Sequence, residues 1–166
     1  MAKKSEPTAG GATPATLALV QAGIEFVAHT YDHDPRAASF GMEAAEKIGI
    51  DPERVFKTLL ADVDGELVVG VVPVAGSLDL RALAVAAGGK RAVMADPMLA
   101  QRRTGYVVGG ISPIGQKAAH RTFVDSSAIL CESMLVSGGR RGFDVELAPD
   151  DLLAVTGATY ADIGRP

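Results

Sequence analysis

Lys57 is the residue hardest to explain as scaffolding. It lies inside the apolar run Val55-Phe56-Lys57-Thr58-Leu59-Leu60, where strand alternation puts it on the face of Val55 and Leu59. An ammonium there either snorkels from an edge strand or faces a cleft that takes an anionic or carbonyl group. A second stretch, Thr104-Gly-Tyr-Val-Val-Gly-Gly-Ile-Ser-Pro-Ile-Gly-Gln-Lys117, is interrupted by Gly109, Gly110, Pro113 and Gly115, so it is neither an ordinary strand nor a helix. Its glycines allow positive φ and close backbone approach, and Pro113 biases Ser112 towards extended backbone. Such a loop either aims several N–H groups at one small oxygen-bearing ligand or serves as a tight turn between strands. Gly110 and Gly115 have the spacing of a phosphate loop. Gln116 stands where that motif needs lysine, however, and Lys117 where it needs a hydroxyl, which excludes a nucleotide triphosphatase.

Other reactive residue types form no recognisable set. His29, Asp32, His33 and Asp34 are metal-ligand types, but two histidines at this spacing share a face only on a helix, and the segment reads as a strand running into a turn before Pro35. No third cluster completes a metal site, so the expectation is a polar turn, with no metal and no cofactor. Ser112, in Ile111-Ser112-Pro113, lacks the Gly-x-Ser-x-Gly elbow of a nucleophilic serine. The single cysteine, Cys131, follows Ile129 and Leu130 and reads as a buried structural thiol. A ligand loop, a lysine and several hydroxyls thus occur without an evident nucleophile. An enzyme built this way must position a substrate that supplies its own nucleophile or binds a water. Proximity and oxyanion stabilisation are then its main catalytic terms.

The elements that must position these groups read as a mixture of helices and strands. The chain has 166 residues, 48% of them hydrophobic and 5% aromatic with no Trp, which suits one domain with a Val, Leu, Ile and Ala core. Residues 1–13 are polar and small, contain no apolar signal segment, and are expected to be a disordered leader before a domain over 14–166. Thr13-Pro14 opens a helix. A strand follows over 25–31, a short helix over 41–48, and a hairpin of 56–63 with 66–74 about Asp64-Gly65. Ser77 or Asp79 caps the next helix, 91–95 is a short strand, and Asp96-Pro97 opens the helix before the glycine loop. Strands over 122–125, 134–136 and 143–147, a helix over 149–156 and a terminal strand complete the order. One hairpin and several crossovers indicate α+β with a mixed, strongly curved sheet flanked by helices. No apolar run is long enough to span a bilayer, and one cysteine suits a cytoplasmic protein. A net charge of −4 argues against wrapping DNA or another extended duplex. The pairs Lys90-Arg91, Arg102-Arg103 and Arg140-Arg141, with Lys117 and Arg121, leave room for contact with a few phosphates.

Three separated motifs, in order, carry a resemblance over about residues 14–164: Phe56-Lys57-Thr58-Leu59, the glycine loop to Gly115, and Val136-Ser-Gly-Gly-Arg-Arg-Gly142. The chain resembles the YbaK/EbsC family, and within it the branch of bacterial Cys-tRNA(Pro) deacylases, whose pattern is matched by His29-Thr-Tyr-Asp-His-Asp-Pro35 with Phe40-Gly41 following. Arg140 stands where the family more often has lysine. The resemblance implies a barrel-like α+β fold related to the editing domain of prolyl-tRNA synthetases. It also implies removal of cysteine from the acceptor end of mischarged proline tRNA, and of Cys-tRNA(Cys) too, beside that synthetase and without a cofactor. Carried over by motif, Lys57, Gly109 and Ser112 are the expected catalytic residues. Tyr31, Phe40, Thr58, Tyr106, Gly110, Ser137 and Asp144 are expected to bind substrate. In such enzymes the substrate thiol is thought to attack its own ester. The alternatives are a non-catalytic module that binds tRNA ends or a synthetase, and a deacylase of another small aminoacyl-tRNA.

Overall fold

The computed structural model describes residues 12–166; most of the expected leader lies outside them. Helices are α1 (Pro14–Gln21), α2 (Phe40–Ile48), α3 (Leu80–Ala86), α4 (Pro97–Thr104) and α5 (Pro149–Thr156). Strands are β1 (Val27–Thr30), β2 (Phe56–Val63), β3 (Glu66–Pro73), β4 (Ser77–Leu78), β5 (Ala92–Met94), β6 (Arg121–Asp125), β7 (Met134–Arg140), β8 (Phe143–Leu147), β9 (Thr159–Ala161) and β10 (Gly164–Arg165). Thr13 is the buried N-cap of α1, its hydroxyl accepting from the Thr16 N–H and donating to the Gly138 carbonyl.

The central sheet has the order β5-β2-β3-β6-β9. The β2–β3 hairpin turns at Asp64 and Gly65, whose φ values of 50° and 94° are those its tight turn requires. Beyond the hairpin the sheet becomes mixed, because β6 joins β3 in parallel and β9 joins β6 in parallel. Both faces are covered. Phe56, Leu60, Val69 and Val71 turn into the main core with α1, α5 and the strands β7 and β8. Ala61, Val63, Val68 and Val72 turn to the other face, against Leu83 and Ala84 of α3. Strand alternation explains this division, and two covered faces explain why β3 is apolar at nearly every position.

A second sheet, β1-β8-β7, meets the first through a parallel bridge between Val55 and Leu135, and β4 pairs with β10 alone. The α+β class agrees with the sequence reading, but the strongly curved, barrel-like sheet does not. A barrel needs one ladder that closes on itself. Here the central ladder ends at the three-residue strands β5 and β9, and neither is joined to the second sheet. The other difference is β7, which continues through Gly138 and Gly139 to Arg140, with a register shift between Ser137 and Arg140. Gly138 fits there because a Cβ would lie 2.3 Å from the Phe143 ring, so bare backbone is what the core accommodates.

Candidate active site

A cavity of about 380 Å³ opens beside β2. Strand β5 reaches only Ala61–Val63, with Ala95 N–H donating to the Leu60 carbonyl beyond it, so among the described residues the first half of β2 has no such neighbour on that side. The cavity wraps this edge and is therefore lined by residues of both parities, Val55 through Leu60. The Val74 N–H donates to the Val55 carbonyl at 2.8 Å. Antiparallel alternation from that pair turns the Thr58 N–H and C=O away from β3 and towards the cavity. The buried Thr58 hydroxyl has no hydrogen-bond partner among the described residues. One donor, one acceptor and one orphaned hydroxyl therefore stand together on the wall.

Seven of the ten residues expected from sequence line this cavity: Tyr31, Phe40, Lys57, Thr58, Gly109, Ser137 and Asp144. Lys57 makes no ion pair among the described residues, and burial lowers its ammonium from the ordinary lysine value. Asp144 pairs with Ser137 across β7 and β8 and is 6% exposed. Burial pushes its carboxyl up to about 7. The Tyr31 hydroxyl is raised to about 12 by burial, with the Asp144 and Glu43 carboxylates adding to it, so it is a poor base near neutrality. Phe40 follows the N-cap Ser39, whose hydroxyl accepts from the Met42 N–H. Its ring lies against Gly109, where φ is +89° and a Cβ would fall 2.7 Å from the ring. That contact shows why the loop needs glycine there: a side chain would be strained and would displace Phe40.

Ser112, Tyr106 and Gly110 are not among the lining residues. Ser112 is fully buried, its hydroxyl accepting from the Ile114 N–H and its carbonyl from Gln116 Nε2. Tyr106 is buried behind the loop and donates its hydroxyl to the Ile114 carbonyl at 2.7 Å, and burial raises that phenol. Gly110 backs onto the β7–β8 turn, where a Cβ would lie 2.6 Å from Arg140 Cα. These three hold the loop in shape; Val108, Gly109 and Ile111 present it to the cavity.

The histidines of the 29–35 segment go to separate carboxylates. His29 contacts Glu146 and His33 contacts Glu43, each at 2.8 Å. Burial opposes the charge of Glu43, but the Asp34 N–H, His33 and Lys47 outweigh it and hold that carboxyl down at about 2. The network ties the 33–34 turn to α2 and so steadies Phe40, whose ring centroid is 5.5 Å from that of His33. Cys131 is half-buried and lines a different depression, and burial raises its thiol. The far wall, Met94, Ala95, Pro97 and Ala100, gave no signal in sequence. These are ordinary apolar residues of β5 and α4 and their junction, placed by topology alone.

The arrangement offers an apolar-walled chamber with one cation, one carboxyl near neutrality, backbone donors and hydroxyls. Among the described residues no histidine or cysteine lines it. It can bind a small polar group, stabilise developing negative charge and move a proton, but it supplies no strong nucleophile.

The profile of the aminoacyl-tRNA editing domain matches residues 34–155, and the chain belongs to that family. It is an aminoacyl-tRNA editing protein, a deacylase by class. A protein of Enterococcus faecalis (strain ATCC 700802 / V583), named "Putative Cys-tRNA(Pro)/Cys-tRNA(Cys) deacylase EbsC", is 40% identical over 121 residues, covering 72% of this chain and 73% of that one. A "Proline--tRNA ligase" of Maridesulfovibrio salexigens (strain ATCC 14822 / DSM 2638 / NCIMB 8403 / VKM B-1763) is 33% identical over 100 residues, 60% of this chain but 17% of the ligase. The fold matches a solved structure described as "a putative trans-editing enzyme for prolyl tRNA synthetase" with TM-score 0.80 and 24% identity, over 92% of this chain and 96% of that one. Among the described residues no helix is long and apolar enough to cross a membrane.

Proposed function

We propose that the chain acts in trans on Cys-tRNA(Pro), and also on Cys-tRNA(Cys), removing cysteine by attack of the substrate thiol on its own ester. The observation that carries this reading is a chamber furnished for charge and proton handling whose lining, among the described residues, includes no histidine or cysteine. The thiol sulfur bonds to the ester carbonyl carbon, the carbon–oxygen bond to the terminal ribose breaks, and the thiol proton ends on the departing ribose hydroxyl. The products are tRNA and a cyclic thiolactone. Asp144, with a carboxyl near 7, takes the thiol proton in this scheme. Lys57 faces the oxygen that gathers charge, and the backbone at Thr58 and Gly109 positions the aminoacyl group. Working beside a prolyl-tRNA synthetase places the protein in the cytoplasm.

A chamber of this size cannot exclude serine or alanine by bulk. A methylene or hydroxyl is worth only about 10- to 200-fold in such a pocket, so a requirement for sulfur is the stronger filter. The test is deacylation of preformed Cys-, Ser- and Ala-tRNA(Pro) by the purified protein alone. Cysteine should be released at least about 100-fold faster than the others. Equal rates for cysteine and serine contradict thiol participation, and binding without any release makes the protein a tRNA-end module.

A further inference from the structure

Arg141, a cation at the chamber's rim, has no part in the proposed chemistry. Arg141 and Gly142 form the tight turn between β7 and β8, whose flanking residues Arg140 and Phe143 are paired. That turn is pinned from two sides. The Tyr31 N–H donates to the Gly142 carbonyl at 3.0 Å, and the absence of a side chain at Gly110 lets the glycine loop lie against Arg140 backbone. Both Tyr31 and the glycine loop belong to the chamber wall, so the turn is held at its edge.

The Arg141 side chain is itself fixed, although it is exposed. Its Nε donates to the Val108 carbonyl at 2.9 Å, and its guanidinium carbon lies 5.2 Å from the centroid of the Phe40 ring. Val108 and Phe40 both line the chamber. Among the described residues no carboxylate pairs with Arg141 and no group hydrogen-bonds its two terminal nitrogens. A guanidinium stacked on a ring and tied through Nε keeps its outer N–H pair pre-oriented for a planar or tetrahedral oxyanion, at little entropic cost. Lys57 is less suited to that task, because it is half-buried within the chamber and its charge is disfavoured there.

Resting on the deacylase reading, the geometry points to Arg141 as a phosphate-binding residue that holds the phosphodiester on the 5′ side of the terminal nucleoside while the aminoacyl group enters the chamber. Lys57 is then free for the reacting oxygens. The ligand is a nucleic-acid phosphate, and an acidic protein surface is the competing occupant that the test must reject.

Turnover should be compared for wild type, Arg141→Gln and Arg141→Lys on three substrates: Cys-tRNA(Pro), the same tRNA with a neutral methylphosphonate at that linkage, and cysteinyl-adenosine, which has no phosphate. Arg141→Gln should raise KM on the tRNA about tenfold with kcat within about twofold, and Arg141→Lys should recover part of the loss. The wild type should lose a similar factor on the methylphosphonate, where Arg141→Gln loses nothing further and Arg141→Lys loses only what it had recovered, and all three proteins should treat cysteinyl-adenosine alike. An equal loss on cysteinyl-adenosine would show that Arg141 acts only by steadying Phe40, and an unchanged KM on tRNA would leave the phosphate to another group; either overturns the assignment. Wild-type inactivity on every substrate would count against the deacylase reading itself. In that case the affinity of an uncharged acceptor-stem hairpin still decides: about tenfold weaker for Arg141→Gln and indifferent to it when the linkage is neutral. Equal affinities overturn the proposal.

Discussion

Replacing Lys57 by alanine is expected to lower kcat/KM for Cys-tRNA(Pro) by about 100-fold or more, the scale seen when a preorganised donor to a developing oxyanion is removed. The loss should fall mainly in kcat, since in the proposed reaction the ammonium is used when charge gathers on the carbonyl oxygen. Lys57 lies on β2 with the sheet's backbone fixed around it, so the change removes a charge and not a support. Lys57→Met, which keeps most of the stem, separates packing from charge and should be as inactive. Neither variant should be less stable at neutral pH than the loss of packing requires. The folded-state value of this lysine lies below its ordinary one. Its charge therefore weakens the fold at neutral pH, and that penalty disappears as pH rises through the unfolded value of about 10.5. An active Lys57→Met protein would remove the residue from the reaction.

The second large effect is on stability. Asp144→Asn should raise the melting temperature at pH 8 by roughly 5–10 °C and abolish most of the activity. Burial moves this carboxyl from 3.8 to about 7. Between those values the folded state binds more protons than the unfolded state, so stability falls as pH rises from about 4 to about 7 and is level above. The upper bound of that loss is about 4 kcal/mol. Asparagine removes it, so the gain should be large at pH 8 and small at pH 5, where the aspartic acid is mostly protonated in the folded protein. Thermal melts of both proteins at the two pH values suffice. A variant less stable at pH 8 would mean that the ionised carboxylate is well solvated, contrary to its burial.

Particular residues show which parts of the molecule were legible in sequence. The β2–β3 hairpin was, because Asp64-Gly65 supplies the two positive φ values its turn needs. The α+β class followed from the order of elements. The open sheets were not legible: whether a ladder closes depends on which edges meet, and short runs such as Thr159–Ala161 carry no sign of their partners. Within the glycine loop, sequence singled out Gly109 but could not separate it from Ser112 and Tyr106. All three lie in the same run, and only burial divides the residues that face the chamber from those that brace it. The wall from Met94 to Ala100 was invisible, since apolar side chains look alike wherever they point. Arg141 was visible only as one of several basic pairs; its fixed guanidinium depends on Phe40 and Val108, distant in sequence.

What most needs testing is that this protein lends its substrate surroundings and takes no covalent part itself. The most direct measurement is the mass of the first product released in a single turnover of Cys-tRNA(Pro), quenched early. Cysteine less one water, the thiolactone, should appear first and decay to cysteine afterwards. Free cysteine from the earliest time point, with no thiolactone preceding it, would mean that water and not the thiol cleaves the ester, and would contradict the account.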